Sequence, residues 1–212
     1  RDLMVSSQTG SGKTAAFMWP ALNRLMQESS VKARGPRVLV LTPTRELAIQ
    51  VTEACRKYGK GMRYAKAVSV VGGTSYVMQN KLLAQPYEVL VATPGRLIDQ
   101  MDSGRIDFGR LEMLVLDEAD RMLDMGFIED IEAIVDRLPQ NRQTLLFSAT
   151  FEPRVCRLAE RLTRDAQRIE IVATAAQHEK IEQRLLFADG MGHKQRLLDH
   201  LLRGEDVEPA IV

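Results

Sequence analysis

Three stretches of this chain, Val38-Leu39-Val40-Leu41, Val89-Leu90-Val91-Ala92 and Met113-Leu114-Val115-Leu116, hold no polar residue. A strand that is apolar on both faces has to be covered on both faces, which is the situation in a parallel sheet layered by helices. The intervening segments carry apolar residues at helical spacing: Phe17, Ala21 and Leu25; Leu47, Val51 and Cys55; Ile131, Ile134, Val135 and Leu138; Val155, Leu158, Ala159 and Leu162. Leu3 to Val5, Ala67 to Val71, Thr144 to Phe147 and Arg168 to Val172 read as further strands. The alternation predicts an α/β fold, a mostly parallel sheet with helices on both faces. Pro20 lies inside the first helix and is expected to kink it.

Length and composition bound the rest. The 212 residues suffice for one substantial core with some excess, and 45% hydrophobic with 27% charged residues is ordinary for a soluble globular protein. The net charge of +1 creates no global field for nucleic acid, so any such binding needs a local patch. Aromatic residues are only 5%, which argues against recognition dominated by base stacking. Cys55 and Cys156 form no CxxC pair and read as buried small apolar residues; His178, His193 and His200 have no metal-ligand spacing. No signal peptide or membrane-length apolar run is visible, so a reducing cytoplasm is the expected location and no membrane partner is expected. Residues 173–180 lack apolar periodicity and read as a linker. A strand at Leu185 to Phe187, a helix carrying Leu197, Leu198, Leu201 and Leu202, and the start of a strand at Pro209 to Val212 then suggest the first unit of a second α/β domain. Both ends of the chain read as cut.

The chemistry begins at Ser7-Gln8-Thr9-Gly10-Ser11-Gly12-Lys13-Thr14, between a strand and a helix. Gly10 and Gly12 let backbone N–H groups close around a polyphosphate, and the helix N-terminus adds partial positive charge there. Lys13 reaches the β- and γ-phosphates, and the Thr14 hydroxyl is a Mg²⁺ ligand. The general pattern wants glycine at the position of Ser7, so the match is not strict.

Ligands of open α/β sheets bind beyond the carboxyl ends of the strands. Five polar clusters lie at such ends: the glycine-rich loop, Pro43-Thr44-Arg45-Glu46-Leu47-Ala48, Thr93-Pro94-Gly95-Arg96, Asp117-Glu118-Ala119-Asp120 and Ser148-Ala149-Thr150. Asp117, directly after an apolar strand, is placed to hold Mg²⁺, with Glu118 beside it to orient or deprotonate water. The plainer reading is a polar strand end whose acids offset a helix dipole; the phosphate loop favours the catalytic one. Arg96 alone could be a surface ion-pair residue.

Together these runs resemble a DEAD-box RNA helicase. Ser7 to Thr14, the PTRELA run, Gly72-Gly73, the TPGR run, the DEAD tetrapeptide and Ser-Ala-Thr stand in that family's order over essentially the whole chain. Arg121-Met122-Leu123-Asp124-Met125-Gly126-Phe127 resembles the bacterial RhlE-type branch. The resemblance implies a RecA-like domain over residues 1–172, a linker over 173–180 and the truncated start of a second such domain over 181–212. It also implies RNA-stimulated ATP hydrolysis coupled to local, largely sequence-independent duplex separation. Ser7 to Thr14 would hold ATP, with Lys13 on the phosphates; Thr14 and Asp117 would hold Mg²⁺; Glu118 would activate water. Asp120, Ser148 and Thr150 would couple hydrolysis to strand separation. Pro43, Thr44, Arg45, Gly72, Gly73, Thr93, Pro94, Gly95 and Arg96 would line the RNA track. An adenine-recognition segment would precede Arg1 and arginine fingers would follow Val212, so these 212 residues alone are expected not to unwind duplexes. Three other readings stay open: an ATP-gated RNA clamp, a DNA translocase of the same superfamily, and, from the phosphate chemistry alone, a small-molecule kinase.

Overall fold

A computed structural model describes residues 1–8, 10–171 and 185–203. The chain divides into two compact units, Arg1–Ala173 and Thr174–Val212.

The first unit is built on a seven-stranded sheet whose strands all pair in parallel: β1 (Leu3–Ser6), β2 (Val38–Leu41), β3 (Ala67–Val70), β4 (Val89–Ala92), β5 (Met113–Leu116), β6 (Gln143–Ser148) and β7 (Gln167–Glu170), in the spatial order β3-β4-β2-β5-β6-β1-β7. Seven helices follow the strands: α1 (Lys13–Leu25), α2 (Arg45–Tyr58), α3 (Tyr76–Leu83), α4 (Pro94–Asp102), α5 (Ala119–Asp124), α6 (Ile128–Val135) and α7 (Pro153–Leu162).

Period-two alternation divides the core by sheet face. Val38, Val40, Val89, Val91, Met113 and Val115 pack with Phe17, Met18, Leu22, Val51 and Cys55 of α1 and α2. Their neighbours Leu39, Leu41, Leu90, Ala92, Leu114 and Leu116 face the other way, onto Leu97, Met122, Ile131, Ile134, Val155 and Leu158 of α4 to α7. The three all-apolar strands are the three buried at every position on both faces, β2, β4 and β5. Helix α1 continues through Pro20 to Leu25 with Phe17, Ala21 and Leu25 buried.

Four expectations need correction. The last strand ends at Glu170, and all four of its residues are exposed, so the sheet is not covered at this edge. Leu185 to Phe187 form no strand: they are exposed, and among the described residues no strand pairs with them. The helix face of α2 is set by Ala48, Val51, Thr52 and Cys55, and Leu47 is only half-buried. Cys156 is half-buried, its thiol donating to the Phe151 carbonyl at 3.4 Å, whereas Cys55 is fully buried. The second unit contributes α8 (Met191–Leu202), which carries the expected Leu197, Leu198, Leu201 and Leu202. The segment read as a linker, 173–180, and the final strand at Pro209 to Val212 lie outside the described residues.

Candidate functional site

Because every strand pairs in parallel, the residues that follow all the strands share one edge of the sheet. The strand order then sorts them into two groups. Neighbouring β3, β4 and β2 end in Gly72-Gly73, Thr93-Pro94-Gly95-Arg96 and Pro43-Thr44-Arg45. Neighbouring β5, β6 and β1 end in Asp117-Glu118-Ala119-Asp120, Ser148-Ala149-Thr150 and the glycine-rich loop.

In the second group the loop closes on itself. Gly10 and Gly12 have φ of 77° and 87°, a left-handed conformation that a side chain would strain, and a Cβ at either would enter open space. Gly12 N-caps α1. The Lys13 ammonium donates to the carbonyls of Ser7 at 2.8 Å and Gln8 at 3.2 Å. Ser7 is buried; its N–H donates to the Ser148 carbonyl at 3.0 Å and its hydroxyl accepts from Ser11 at 3.0 Å. The serine that departs from the general pattern thus makes a bond inside the loop that glycine could not. Thr9 lies outside the described residues. Thr14 is half-buried in the first turn of α1.

Asp117 is 2% exposed, and one carboxylate oxygen, Oδ1, is buried with no hydrogen-bond partner. Burial first, and the neighbouring Glu118 charge second, push its carboxyl up to about 6, against the pull of Lys13. A buried, unpartnered carboxylate oxygen opposite an ammonium is the chemistry of a cation site. Glu118 has φ 56° and ψ 53°, a left-handed conformation uncommon for a residue with a side chain and costing on the order of 1–3 kcal/mol. This backbone turns Glu118 aside from the strand direction, and its carboxylate accepts from Arg121 at 3.2 Å. Asp120 accepts from the Ala149 N–H at 3.0 Å and from the Arg121 N–H at 3.0 Å. It thereby ties the acidic run to Ser148-Ala149-Thr150, where the Thr150 N–H donates to the Ser148 hydroxyl at 3.4 Å. A cavity of about 220 Å³ opens among Lys13, Glu118, Asp120, Arg121, Asp124 and Ala149.

Arg121 and Asp124 received no role from the sequence. The spacing of Glu118 and Arg121, three apart at a helix start, is the signal that could have paired them.

In the first group, two arginines brace one turn. Arg45 donates to the Gly73 carbonyl at 3.1 Å, and Arg96 to the Thr74 carbonyl at 2.9 Å. Gly73 has φ 70°, which strains any residue with a side chain, and a Cβ there would lie 3.0 Å from the Arg45 guanidinium, which would have to shift slightly. The Arg96 side chain is only 13% exposed: it lies over the Tyr76 ring at 4.1 Å and pairs with Asp99 at 3.6 Å, to which the Tyr76 hydroxyl donates at 2.7 Å. Thr44 caps α2 by accepting from the Leu47 N–H at 3.3 Å. Thr93 occupies the N-cap of α4 without a side-chain bond, and Pro94 follows at its first turn. Pro43 is buried and Gly95 exposed.

A parallel sheet with a phosphate loop after β1 and a buried acid after β5 defines a P-loop nucleotide-binding domain. Residues 1–158 match the family described as DEAD/DEAH box helicase, and the chain belongs to that family. An ATP-dependent RNA helicase DeaD of Klebsiella pneumoniae is 43% identical over 212 residues, 100% of this chain and 32% of that protein. The ATP-dependent RNA helicase SrmB of Escherichia coli (strain K12) is 40% identical over 213 residues, 100% of this chain and 48% of that protein. Among solved structures, a DEAD box protein from the hyperthermophile Methanococcus jannaschii matches with a TM-score of 0.72 and 32% identity, over 97% of this chain and 53% of that one. A hypothetical ATP-dependent RNA helicase from Sulfolobus tokodaii matches with a TM-score of 0.71 and 38% identity, over 81% of this chain and 48% of that one. The chain spans about a third of the length of the DeaD relatives. Family membership carries no branch with it, and the RhlE-type run remains a resemblance. No helix among the described residues is long and apolar enough to cross a membrane.

Proposed function

We propose that this chain is the nucleotide-binding half of an ATP-dependent RNA helicase, working in the cytoplasm with ATP and Mg²⁺ on RNA whose backbone it contacts without regard to sequence. The observation that carries the reading is the division of one sheet edge into phosphate-and-acid loops on β5, β6 and β1 and glycine-and-arginine loops on β3, β4 and β2. A small-molecule kinase has no use for the second group.

Ser7 to Thr14 hold the triphosphate. Lys13, which donates to the Ser7 and Gln8 carbonyls, exchanges these bonds for phosphate oxygens. Thr14 and Asp117 would hold Mg²⁺, which when bound neutralises charge on the phosphate oxygens. Glu118 accepts the proton of the attacking water, and its pairing with Arg121 has to yield when it does so. Asp120, through Ala149, passes the state of the acidic run to Ser148 and Thr150. Pro43, Thr44, Arg45, Gly72, Gly73, Thr93, Pro94, Gly95 and Arg96 form the RNA-facing loops: backbone N–H groups at the starts of α2 and α4 suit phosphate oxygens, and the two arginines hold the glycine turn in place. We assign residues 1–172 to a first RecA-like domain, 173–180 to a linker and 181–212 to the beginning of a second, which would supply the arginine fingers. An arginine finger is worth roughly 10³–10⁵ in turnover, so this chain by itself binds nucleotide without unwinding.

The test is binding of a fluorescent ATP analogue with Mg²⁺ to the 212-residue chain and to Lys13→Ala. Wild type is expected to bind and the variant to lose binding while unfolding at a similar temperature. Equal binding by both would refute the nucleotide site.

A further inference from the structure

Residues 54–87 contain six lysines and arginines and no aspartate or glutamate, in a chain whose 29 basic and 28 acidic residues nearly balance overall. Five of the six, Arg56, Lys57, Lys60, Arg63 and Lys66, fall between the last turn of α2 and the start of β3. In a parallel sheet this connection lies at the amino ends of the strands, on the rim opposite the phosphate loop. Helix α2 joins the two rims: Arg45 at its first turn braces Gly73, and Tyr58 ends it, about 21 Å away for 14 residues.

All five cations are exposed, and among the described residues none has an ion pair or a side-chain hydrogen bond. Their neighbours on the same rim are paired: Arg37 with Glu112 at 2.7 Å, and Arg110 with Glu88 at 2.9 Å. The five are displayed on a fixed turn. Gly59 donates to the Cys55 carbonyl at 2.9 Å and Met62 to the Gly59 carbonyl at 2.9 Å. A Cβ on Gly59 would sit 2.2 Å from the Ala65 Cβ, so the loop folds back flush against the helix end. Flat rings are interleaved with the charges. Tyr64 is 51% exposed, and Trp19, 60% exposed, stands edge-on to Tyr58 with ring centroids 5.9 Å apart. Beside Tyr64 a cavity of about 260 Å³ is lined by Arg63, Tyr64, Lys66, Pro86, Tyr87 and Glu88, whose single acid is the one held by Arg110.

We propose that this rim is a second RNA-contact surface, separate from the loops at the carboxyl ends of the strands, gripping phosphates through Lys57, Lys60, Arg63 and Lys66 and stacking an unpaired base on Tyr64. It takes the identity of its partner from the RNA reading above. Clustered unpaired cations are the footprint of a polyanion. Exposed aromatic faces among them favour a strand with unstacked bases over an acidic protein, which would offer those rings nothing planar. The surface is sequence-independent, and it does not require nucleotide.

The experiment is fluorescence anisotropy of a labelled single-stranded RNA against the nucleotide-free 212-residue chain over a salt series. The variant K57Q/K60Q/R63Q/K66Q changes only exposed side chains outside the nucleotide site. Loss of four phosphate contacts would flatten the slope of log affinity against log salt by about 3, at about 0.7 each. Tyr64→Ala should weaken binding roughly fivefold or more with the slope unchanged. Chemical acetylation of the wild-type chain, which needs no variant, should show Lys57, Lys60 and Lys66 protected by RNA. RNA binding with unchanged slope and affinity in the quadruple variant, or no protection of these lysines, would overturn the second surface while leaving the strand-end loops as the RNA site. Displacement of RNA by poly-glutamate at equal charge concentration would overturn it in favour of an acidic protein partner. Failure of the RNA reading itself would show differently, as no binding by wild type at low salt, and would overturn both.

Discussion

Replacing Asp117 by Asn should make this chain more stable at neutral pH. The carboxyl is 2% exposed, has a buried oxygen without a partner, and is pushed up to about 6 from 3.8 by burial and by the Glu118 charge. Because the folded pKa lies above the unfolded one, the native state binds the proton more tightly. Stability therefore falls as pH rises through the window from about 4 to 6 and stays lowered above it. Two pKa units correspond to about 3 kcal/mol. Asparagine removes the charge and keeps the shape, but retains an unpartnered buried acceptor, a cost of about 1 kcal/mol that both proteins share. A net gain of about 2–3 kcal/mol at pH 7.5 is expected, or about 5 °C or more in melting temperature for a chain of this size. The assay is thermal unfolding by far-ultraviolet circular dichroism between pH 4 and 8, without metal or nucleotide. The two proteins should differ little near pH 4, diverge up to about pH 6 and run parallel above. Other carboxylates titrate in both, so the difference isolates Asp117. Superimposed melting curves at pH 7.5, or an Asn variant less stable throughout, would refute the reasoning.

Glu118→Gln should keep Mg²⁺-dependent nucleotide binding and lower hydrolysis by about 10²–10⁴-fold once both helicase domains are present, read by single-turnover kinetics; loss of nucleotide binding instead would assign the metal to Glu118. Arg96→Ala should weaken single-stranded RNA binding by a similar factor for every sequence, because the turn at Gly73 and Thr74 loses its brace, and amide exchange at Thr74 to Tyr76 should quicken. Its salt slope should hardly change, since the guanidinium is engaged by Thr74 and Asp99; a drop of about 0.7 would mean that Arg96 meets a phosphate directly.

The buried strands were legible because β2, β4 and β5 are apolar at every position, a pattern with few alternatives once helices alternate with them. The glycine-rich loop was legible because Gly10 and Gly12, which adopt positive φ, stand at fixed spacing before Lys13 and Thr14 between a strand and a helix. The strand order was not: nothing local says that β1 lies between β6 and β7, since that choice is made by pairs as distant in sequence as Leu3 with Leu145 and Leu3 with Gln167. Nor did the sequence indicate that Glu118 is left-handed, because glutamate has no preference for that region and tertiary packing imposes it. For Arg96 the sequence left a surface ion pair or an RNA contact open; the Asp99 pair is local, three residues on, whereas its bond to Thr74 and its place over Tyr76 arise from two segments that meet only in the fold. The short run at Leu185 to Phe187 misled because three apolar residues cannot form a strand without a partner.

The position of β1 has a consequence for synthesis on the ribosome. Leu3, Met4 and Val5 leave the exit tunnel well before their partners Leu145 to Phe147 and Gln167 to Ile169. At about 5–20 residues per second, the nascent chain waits roughly 7–30 s between the two. During that interval β2 to β5 can assemble, while Leu3 to Ser6 and the glycine-rich loop have no seat. The glycine-rich loop is therefore seated late in the synthesis of this unit, and a chain stalled before residue 143 would leave Leu3 to Val5 exposed as an unpaired apolar segment.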